Sequence, residues 1–158
     1  MKQIITACLV ALATPLAAQT NIDLGGLRAD PEASVEITAD SLNVDQASGT
    51  AIFEGNVLIG QGDLRISAGR VQVVYSEETG DIAQLEASGG VTFITETEAA
   101  EAENASYDLT SGTLTLNGDV LLTQGASALS ADQMVVNLDS GNARMTGRVR
   151  TTFSQDGN

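Results

Sequence analysis

A glycine-marked repeat of about 30 residues constrains the fold of this chain more than any other feature. The turn glycines are Gly49, Gly80, Gly112 and Gly141. Each follows an Asp or Ser by a few positions, and these side chains hydrogen-bond their own backbone to start a turn. Repeats of this length predict stacked units, each of which buries its apolar face against its neighbours.

The first unit, residues 35–59, has alternating apolar and polar residues on both sides of Gly49. A period of two is that of a β-strand with one buried face, whereas a helix repeats every 3.6 residues. Between the two runs, the segment from Asp45 to Gly49 has the composition of a short hairpin loop. Each unit is therefore predicted to be strand, turn, strand. The buried face of the first is expected to carry Val35, Ile37, Leu42, Val44, Ala51, Phe53, Val57 and Ile59.

A second glycine recurs after each turn, at Gly55, Gly89, Gly118 and Gly147. Glycine inside a strand pattern indicates a bulge, so every unit is predicted to bend at the same place. Only residues 96–103 interrupt the alternation, because they lack an apolar stripe, and they are expected to form a solvated loop or strand end that serves as a spacer. The chain is predicted to be all-β, with antiparallel strands in repeated strand-turn-strand units.

The chain divides into four predicted segments. Residues 1–18 combine Lys2, an apolar run, a proline break and small residues, which are typical of a secretory signal peptide cleaved near Ala18. Residues 19–33 are expected to form a flexible leader, residues 34–154 the β-domain, and residues 155–158 a short tail.

Composition excludes several classes of function. The chain has no His, and its one Cys, Cys8, lies in the predicted signal peptide. Ser-His and Cys-His catalysis and His or Cys metal sites are therefore excluded, so no enzyme activity, metal or cofactor is expected. A net charge of −14 argues against binding nucleic acid or an anionic membrane surface. The one basic cluster, Arg144, Arg148 and Arg150, occupies alternate positions and is therefore expected on one strand face. It either balances nearby acids on an outer face or contacts anionic groups of a ligand or partner.

The order of several segments carries a resemblance to a known family. The segments are residues 35–40, residues 53–57 followed by Gln61-Gly62, and residues 66–71, 116–120 and 130–134. Over residues 33–153 the chain resembles the LptA/OstA family of periplasmic lipopolysaccharide transport proteins. The resemblance implies an open, twisted β-jelly-roll in the periplasm that carries lipopolysaccharide from an inner-membrane complex to an outer-membrane translocon.

The resemblance also implies contact with the acyl chains of lipid A. Burial of about ten methylenes is worth roughly 8 kcal/mol, and the inward-facing aliphatic row offers the surface for it. Side-chain parity within each strand selects the residues expected to contact acyl chains, and places Glu36, Glu54 and Arg65 outside. The contact residues are Val35, Ile37, Phe53, Val57, Leu64, Ile66, Val73, Phe93, Tyr107, Leu116 and Met134.

An open jelly-roll leaves a free strand at each end, and such strands accept partner strands. The expected partners are the related domains of LptC-like inner-membrane and LptD-like outer-membrane components, with head-to-tail self-association. The alternative is that both strands are blunted edges, protected from aggregation by Glu36 and Arg150. A different function, a structural or adhesive β-solenoid without lipid binding, fits the same repeats. The predicted edge residues are Ser34, Val35, Glu36, Ile37 and Thr38 at the entry strand, and Val149, Arg150, Thr151, Thr152 and Phe153 at the exit strand.

Overall fold

The computed structural model describes residues 21–23 and 33–153 of the 158-residue chain. The predicted signal peptide, most of the predicted leader and the predicted tail lie outside the described residues. The described part contains eleven strands and no helix. The strands are β1 (Asn21–Asp23), β2 (Val35–Thr38), β3 (Ser41–Asp45), β4 (Thr50–Gln61), β5 (Leu64–Tyr75), β6 (Ile82–Ile94), β7 (Glu98–Asp108), β8 (Thr113–Gln124), β9 (Ser127–Asn137), β10 (Asn142–Thr146) and β11 (Arg150–Phe153).

All strands belong to one sheet in which every pair is antiparallel. From β4 to β10, each strand pairs with the next one along the chain. At one end of the sheet, β2 and β3 pair with successive halves of β4, and at the other end β10 and β11 pair with the two halves of β9. The antiparallel strand-turn-strand prediction is confirmed.

Each long strand bends near its middle. The pairing shifts register between Glu54 and Val57 in β4, and equivalent shifts occur in β5 to β8. At the bend of β4, Gly55 has φ +82° and Asn56 has φ +45°, and the same left-handed pair occurs at the other predicted bends. Two left-handed residues in succession turn the strand sharply. The predicted bends at Gly55, Gly89, Gly118 and Gly147 are therefore confirmed.

The bends fold the sheet into two layers that share one core. Layer one contains β1, β3, β10 and the halves of β4 to β9 that pair with them, and layer two contains β2, β11 and the other halves. Val71 in layer one and Val120 in layer two are both fully excluded from solvent. One face of a single-layer sheet would be open to water, so the two inner faces must cover each other. This is an open jelly-roll, as predicted.

The hairpin turns lie at the tips of the layers, away from the bends. The layer-one tips hold Gly49, Gly80, Gly112 and Gly141, all with positive φ, which confirms the predicted turn glycines. The layer-two tips are residues 62–63, 95–97 and 125–126. The approximately 30-residue repeat is thus one out-and-back passage through both layers.

The structure corrects the prediction for residues 96–103. Residues 98–103 are not a solvated spacer, because they form the first half of β7. Glu98, Ala100 and Ala102 face the core, while Glu101 and Glu103 are exposed. Alternation is present, but its inner positions hold alanine and one carboxylate, so it gives no apolar signal.

Two predicted core residues lie at the edge instead. Leu42 and Val44 oppose Phe53 and Ala51, which places them on the inner side of β3. They are nevertheless 52% and 64% exposed. β3 is the last strand of layer one at this end, so nothing among the described residues continues the layer past it.

The chain termini also differ from expectation. Within the predicted flexible leader, residues 21–23 form β1 and pair with β10 at the opposite end of the sheet from β2. The entry strand begins at Val35 instead of Ser34, and the exit strand begins at Arg150 instead of Val149. The basic cluster does not share one strand face, because the bend at Gly147 places Arg144 in layer one and Arg150 in layer two.

Candidate functional site: an apolar interior with two open ends

The interior of the jelly-roll is a continuous apolar core between the two layers. All eleven residues predicted to contact acyl chains line it or pack against it. Val57, Leu64, Ile66, Val73, Phe93, Tyr107, Leu116 and Met134 are buried, and Val35, Ile37 and Phe53 are partly buried. Parity therefore places every one of these side chains on the correct face. Their contact with a lipid remains a prediction.

Sequence reasoning left other interior residues out of the candidate set. Apart from Ala100, they alternate with the predicted contact residues of the same strands, and this alternation is the signal that would have found them. Those with no exposed surface are Val71, Ala100, Leu114, Val120, Leu122 and Val136.

The interior is mainly aliphatic. Phe93 and Tyr107 are the buried aromatic residues of the described part. Burial raises the pKa of the Tyr107 hydroxyl, and the negative charge of Asp139 acts in the same direction. The Tyr107 side chain therefore stays neutral well above physiological pH.

The apolar face reaches solvent at both ends of the sheet. At the β2/β3 end, Leu42 and Val44 continue the inner row beside Phe53. At the β11 end, Phe153 opposes Ser127 on the inner row and is 73% exposed. The described residues therefore do not close the apolar interior at either end.

The backbone edges at these ends differ in their coverage. β2 and β3 pair only with β4, and β11 pairs only with β9. β1 covers β10, which is the layer-one half of the other end. Among the predicted edge residues, Glu36 and Thr38 are exposed, Val35 and Ile37 are partly buried, and residues 149–153 are exposed. Ser34 and Val149 lie just before their strands.

Ion pairs on the outer face join neighbouring strands at the bends. An Arg70 Nη1 donates to Glu54 Oε1 at 2.7 Å, and an Arg148 Nε donates to Asp132 Oδ1 at 2.8 Å. This hydrogen bond and the charge of Asp132 raise the pKa of Arg148. At Arg148 the structure matches the first interpretation of the basic cluster, in which arginine balances a nearby acid.

Residues 21–23 and 33–153 contain no cluster of three or more potential metal-ligating His, Cys, Asp or Glu side chains. The same residues contain no helix long and apolar enough to cross a membrane.

The fold and its interior define a class: an antiparallel jelly-roll whose aliphatic core is open at both ends. Residues 36–152 match the family described as LptA/(LptD N-terminal domain) LPS transport protein. The chain belongs to this family of lipopolysaccharide transport proteins.

Two known proteins illustrate the relationship. An uncharacterized protein of Rhizobium meliloti (strain 1021) is 31% identical over 155 residues, which cover 91% of this chain and 83% of the relative. LptH from Pseudomonas aeruginosa superimposes with a TM-score of 0.73 at 15% identity, over 80% of this chain and 99% of LptH. LptH is described as the LptA homologous periplasmic component of the conserved lipopolysaccharide transport device. At this identity, the likeness to LptH shows the fold.

Proposed function

We propose that this protein is a periplasmic carrier that binds the acyl chains of lipid A in its interior and passes lipopolysaccharide from an inner-membrane complex to an outer-membrane translocon. The observation that carries the proposal is the apolar inner face that runs the length of the sheet and ends in exposed Leu42, Val44 and Phe153. A monomer that only needed a stable core would gain nothing from apolar side chains left in water at both ends.

Entry of a lipid requires the two layers to separate, since the interior side chains pack against one another. The strand pairing of the described residues runs within each layer and around the bends. The tips can therefore move apart without breaking the sheet. Roughly 0.8 kcal/mol per buried methylene offsets the core contacts that are lost on opening.

The charge of the protein directs the polar part of the lipid away from the core. With a net charge of −14, the surface repels an anionic head group. The phosphorylated sugars consequently remain in solvent while the acyl chains lie between the layers. Recognition then depends on the shape of the chains.

Transfer along the route uses the open strand edges. The backbone groups on the free side of β2 and β11 are available to an added strand. Pairing there with the related domains of LptC-like and LptD-like components, or with a second copy, would continue the apolar face from one domain to the next. Such a heterologous contact builds a bridge and does not close on itself.

A photo-crosslinking experiment in whole cells tests lipid binding. Crosslinkers at the buried Phe93 and Leu116 are expected to capture lipopolysaccharide, whereas crosslinkers at Glu36 and Glu54 on the outer face are not. Equal labelling of the inner and outer positions would exclude the interior as the binding site.

A second experiment tests the edges. Crosslinkers at Val35 and Thr151 should form intermolecular adducts, and Thr152→Pro, which removes a backbone donor from β11, should weaken transport. Absence of adducts at both edges, together with full transport by the proline variant, would favour blunted edges over a bridge.

A further inference from the structure

The inner face of layer two ends in polar side chains at its tips. Gln61 and Glu98 are the buried polar residues of the described part, with 8% and 3% exposure. Gln124 opposes Glu98 across the β7–β8 pairing and lies on the same inner row. We call Gln61, Glu98 and Gln124 the layer-two rim.

The structure holds the Glu98 carboxyl group in place. The backbone N–H of Thr95 donates to the carbonyl of Glu98 at 2.9 Å, and the N–H of Glu98 donates to Thr95 Oγ1 at 3.2 Å. These bonds fix the turn that starts β7. The Gln124 side-chain amide donates to Glu98 Oε1 at 2.5 Å. The carboxyl group is thus oriented by both its own turn and its neighbouring strand.

The tips of layer one and layer two differ in the polarity of their inward-facing side chains. The layer-one tips place Ile82, Leu109 and Leu138 against the core, so that rim is apolar. Beside Glu98 on the inner face of β7 come Ala100 and Ala102, which are small. A polar rim next to a wall of small side chains therefore lies on one side of the interior only.

A buried carboxyl group is a costly choice for a core position. Taking it out of water costs free energy, and an apolar side chain of similar volume would serve packing as well or better. The outer positions Glu101 and Glu103 of the same strand are exposed and carry no such cost. The position of Glu98 therefore calls for a role that packing does not supply.

We infer that Glu98, oriented by Gln124, forms a hydrogen-bonding subsite for the first polar group of a bound acyl chain, a hydroxyl or an amide N–H close to the head group. The inference rests on the proposed binding of acyl chains in the interior. The carboxyl oxygens accept a hydrogen bond from the ligand, while the chain beyond that group lies against Ala100, Ala102 and the core. The subsite thereby fixes the orientation of the lipid, with its head at the layer-two tips.

Two neutral probes of equal chain length test the subsite: methyl tetradecanoate, which has no donor, and methyl 3-hydroxytetradecanoate, which has one. Affinity is measured by displacement of a fluorescent apolar dye. The parent protein is expected to bind the hydroxylated ester about tenfold more tightly, which corresponds to one additional hydrogen bond. Glu98→Leu should bind the unsubstituted ester at least as well as the parent and should lose the preference.

Further variants control for folding and for charge. Glu101→Leu removes an exposed carboxylate from the outer face of the same strand and should keep the full preference. Glu98→Gln keeps an acceptor and the shape of the side chain, so it should retain part of the preference, and it serves if Glu98→Leu does not fold. The inference is overturned if the parent shows no preference or if both Glu98 variants retain it in full. Failure of the parent to bind either ester would overturn the carrier function itself.

Discussion

Gly89 and Gly90 show how single residues set the bend. Both have positive φ, +81° and +80°, in the middle of β6. A Cβ on Gly89 would lie 3.3 Å from the Cα of Gly69 on β5, whereas a Cβ on Gly90 would meet nothing within 4 Å. The two backbones approach each other closely at this point, and Gly89 is the residue that permits it.

These neighbours therefore form a matched pair of variants. Gly90→Ala is expected to cost about 1 kcal/mol for its left-handed backbone alone. Gly89→Ala should cost about 2 kcal/mol or more, because the β5 backbone must also shift. Urea unfolding followed by circular dichroism measures both. Equal costs would mean that the close approach adds nothing to stability.

The hydrogen bonds of Asp45 predict that part of the stability of the β3–β4 turn is lost at acidic pH. Its carboxylate accepts the backbone N–H of Ala47 at 2.9 Å and that of Ser48 at 3.3 Å. These hydrogen bonds, with that of the Ser48 hydroxyl, lower the pKa of Asp45 from its ordinary value of 3.8. Since the folded pKa is depressed, the stabilisation is present above the ordinary value and is lost as pH falls through the folded pKa.

Carbon NMR of the Asp45 carboxyl group checks this expectation. The titration midpoint should lie below 3.8. Asp45→Asn keeps the turn geometry without a titrating group, so its β3–β4 hairpin should show less loss of order in acid than the parent. A midpoint above the ordinary value would contradict the role of these hydrogen bonds.

At the scale of elements, β1 has the clearest testable role. It pairs with β10 and so covers the layer-one half of the edge whose other half, β11, is open. A chain that begins at residue 24 should expose the β10 edge and self-associate several-fold more strongly than one that begins at residue 19, since an unpaired edge is a template for another strand. Sedimentation velocity across a concentration series measures this.

Removal of residues 155–158 is the control for that truncation, because it shortens the other terminus and keeps β1. Unchanged association after the loss of β1 would indicate that the β10 edge does not accept a partner strand.

The elements also show what sequence can reveal about this fold. The turn and bend glycines could be predicted from the sequence, because few other residues tolerate positive φ. Strands whose inner residues are Val, Leu or Ile could be predicted as well, because these residues alternate with polar ones. The first half of β7 was not predicted, because its inner positions are Glu98, Ala100 and Ala102, and one carboxylate beside two alanines gives no row of large apolar residues. β1 was not predicted either, because three residues are too few to show an alternating pattern and its partner β10 is distant in sequence.

The candidate site could be predicted from the sequence only in part. Parity identified which side chains face inward, so the eleven predicted contact residues all lie at the interior. The solvent exposure of Leu42 and Val44 depends on whether another strand packs beyond β3. The alternating pattern of the sequence does not show whether such a strand is present. The buried position of Glu98 was likewise hidden, because a carboxylate in an acidic chain is normally solvated.

Charge governs the behaviour of the whole molecule. Two copies that each carry −14 repel one another, and salt screens that repulsion. End-to-end association should therefore strengthen about tenfold between roughly 20 mM and 300 mM sodium chloride, as measured by light scattering. Weaker association at high salt would mean that local charge pairs, such as Glu36 with Arg150 of another copy, outweigh the net repulsion.

The order of strands in the sheet has a consequence for how the protein acquires its structure. From β4 to β10 every strand pairs with its immediate successor, so each hairpin can form as soon as its own residues are available. Such local pairing keeps loop-closure entropy small and favours fast folding. If the chain emerges from a membrane channel with its N-terminus first, its hairpins can form one after another. Only the apolar face of the most recently emerged strand would then be exposed to water. β1 forms its pairing last, because it emerges first and its partner β10 is among the last strands to follow.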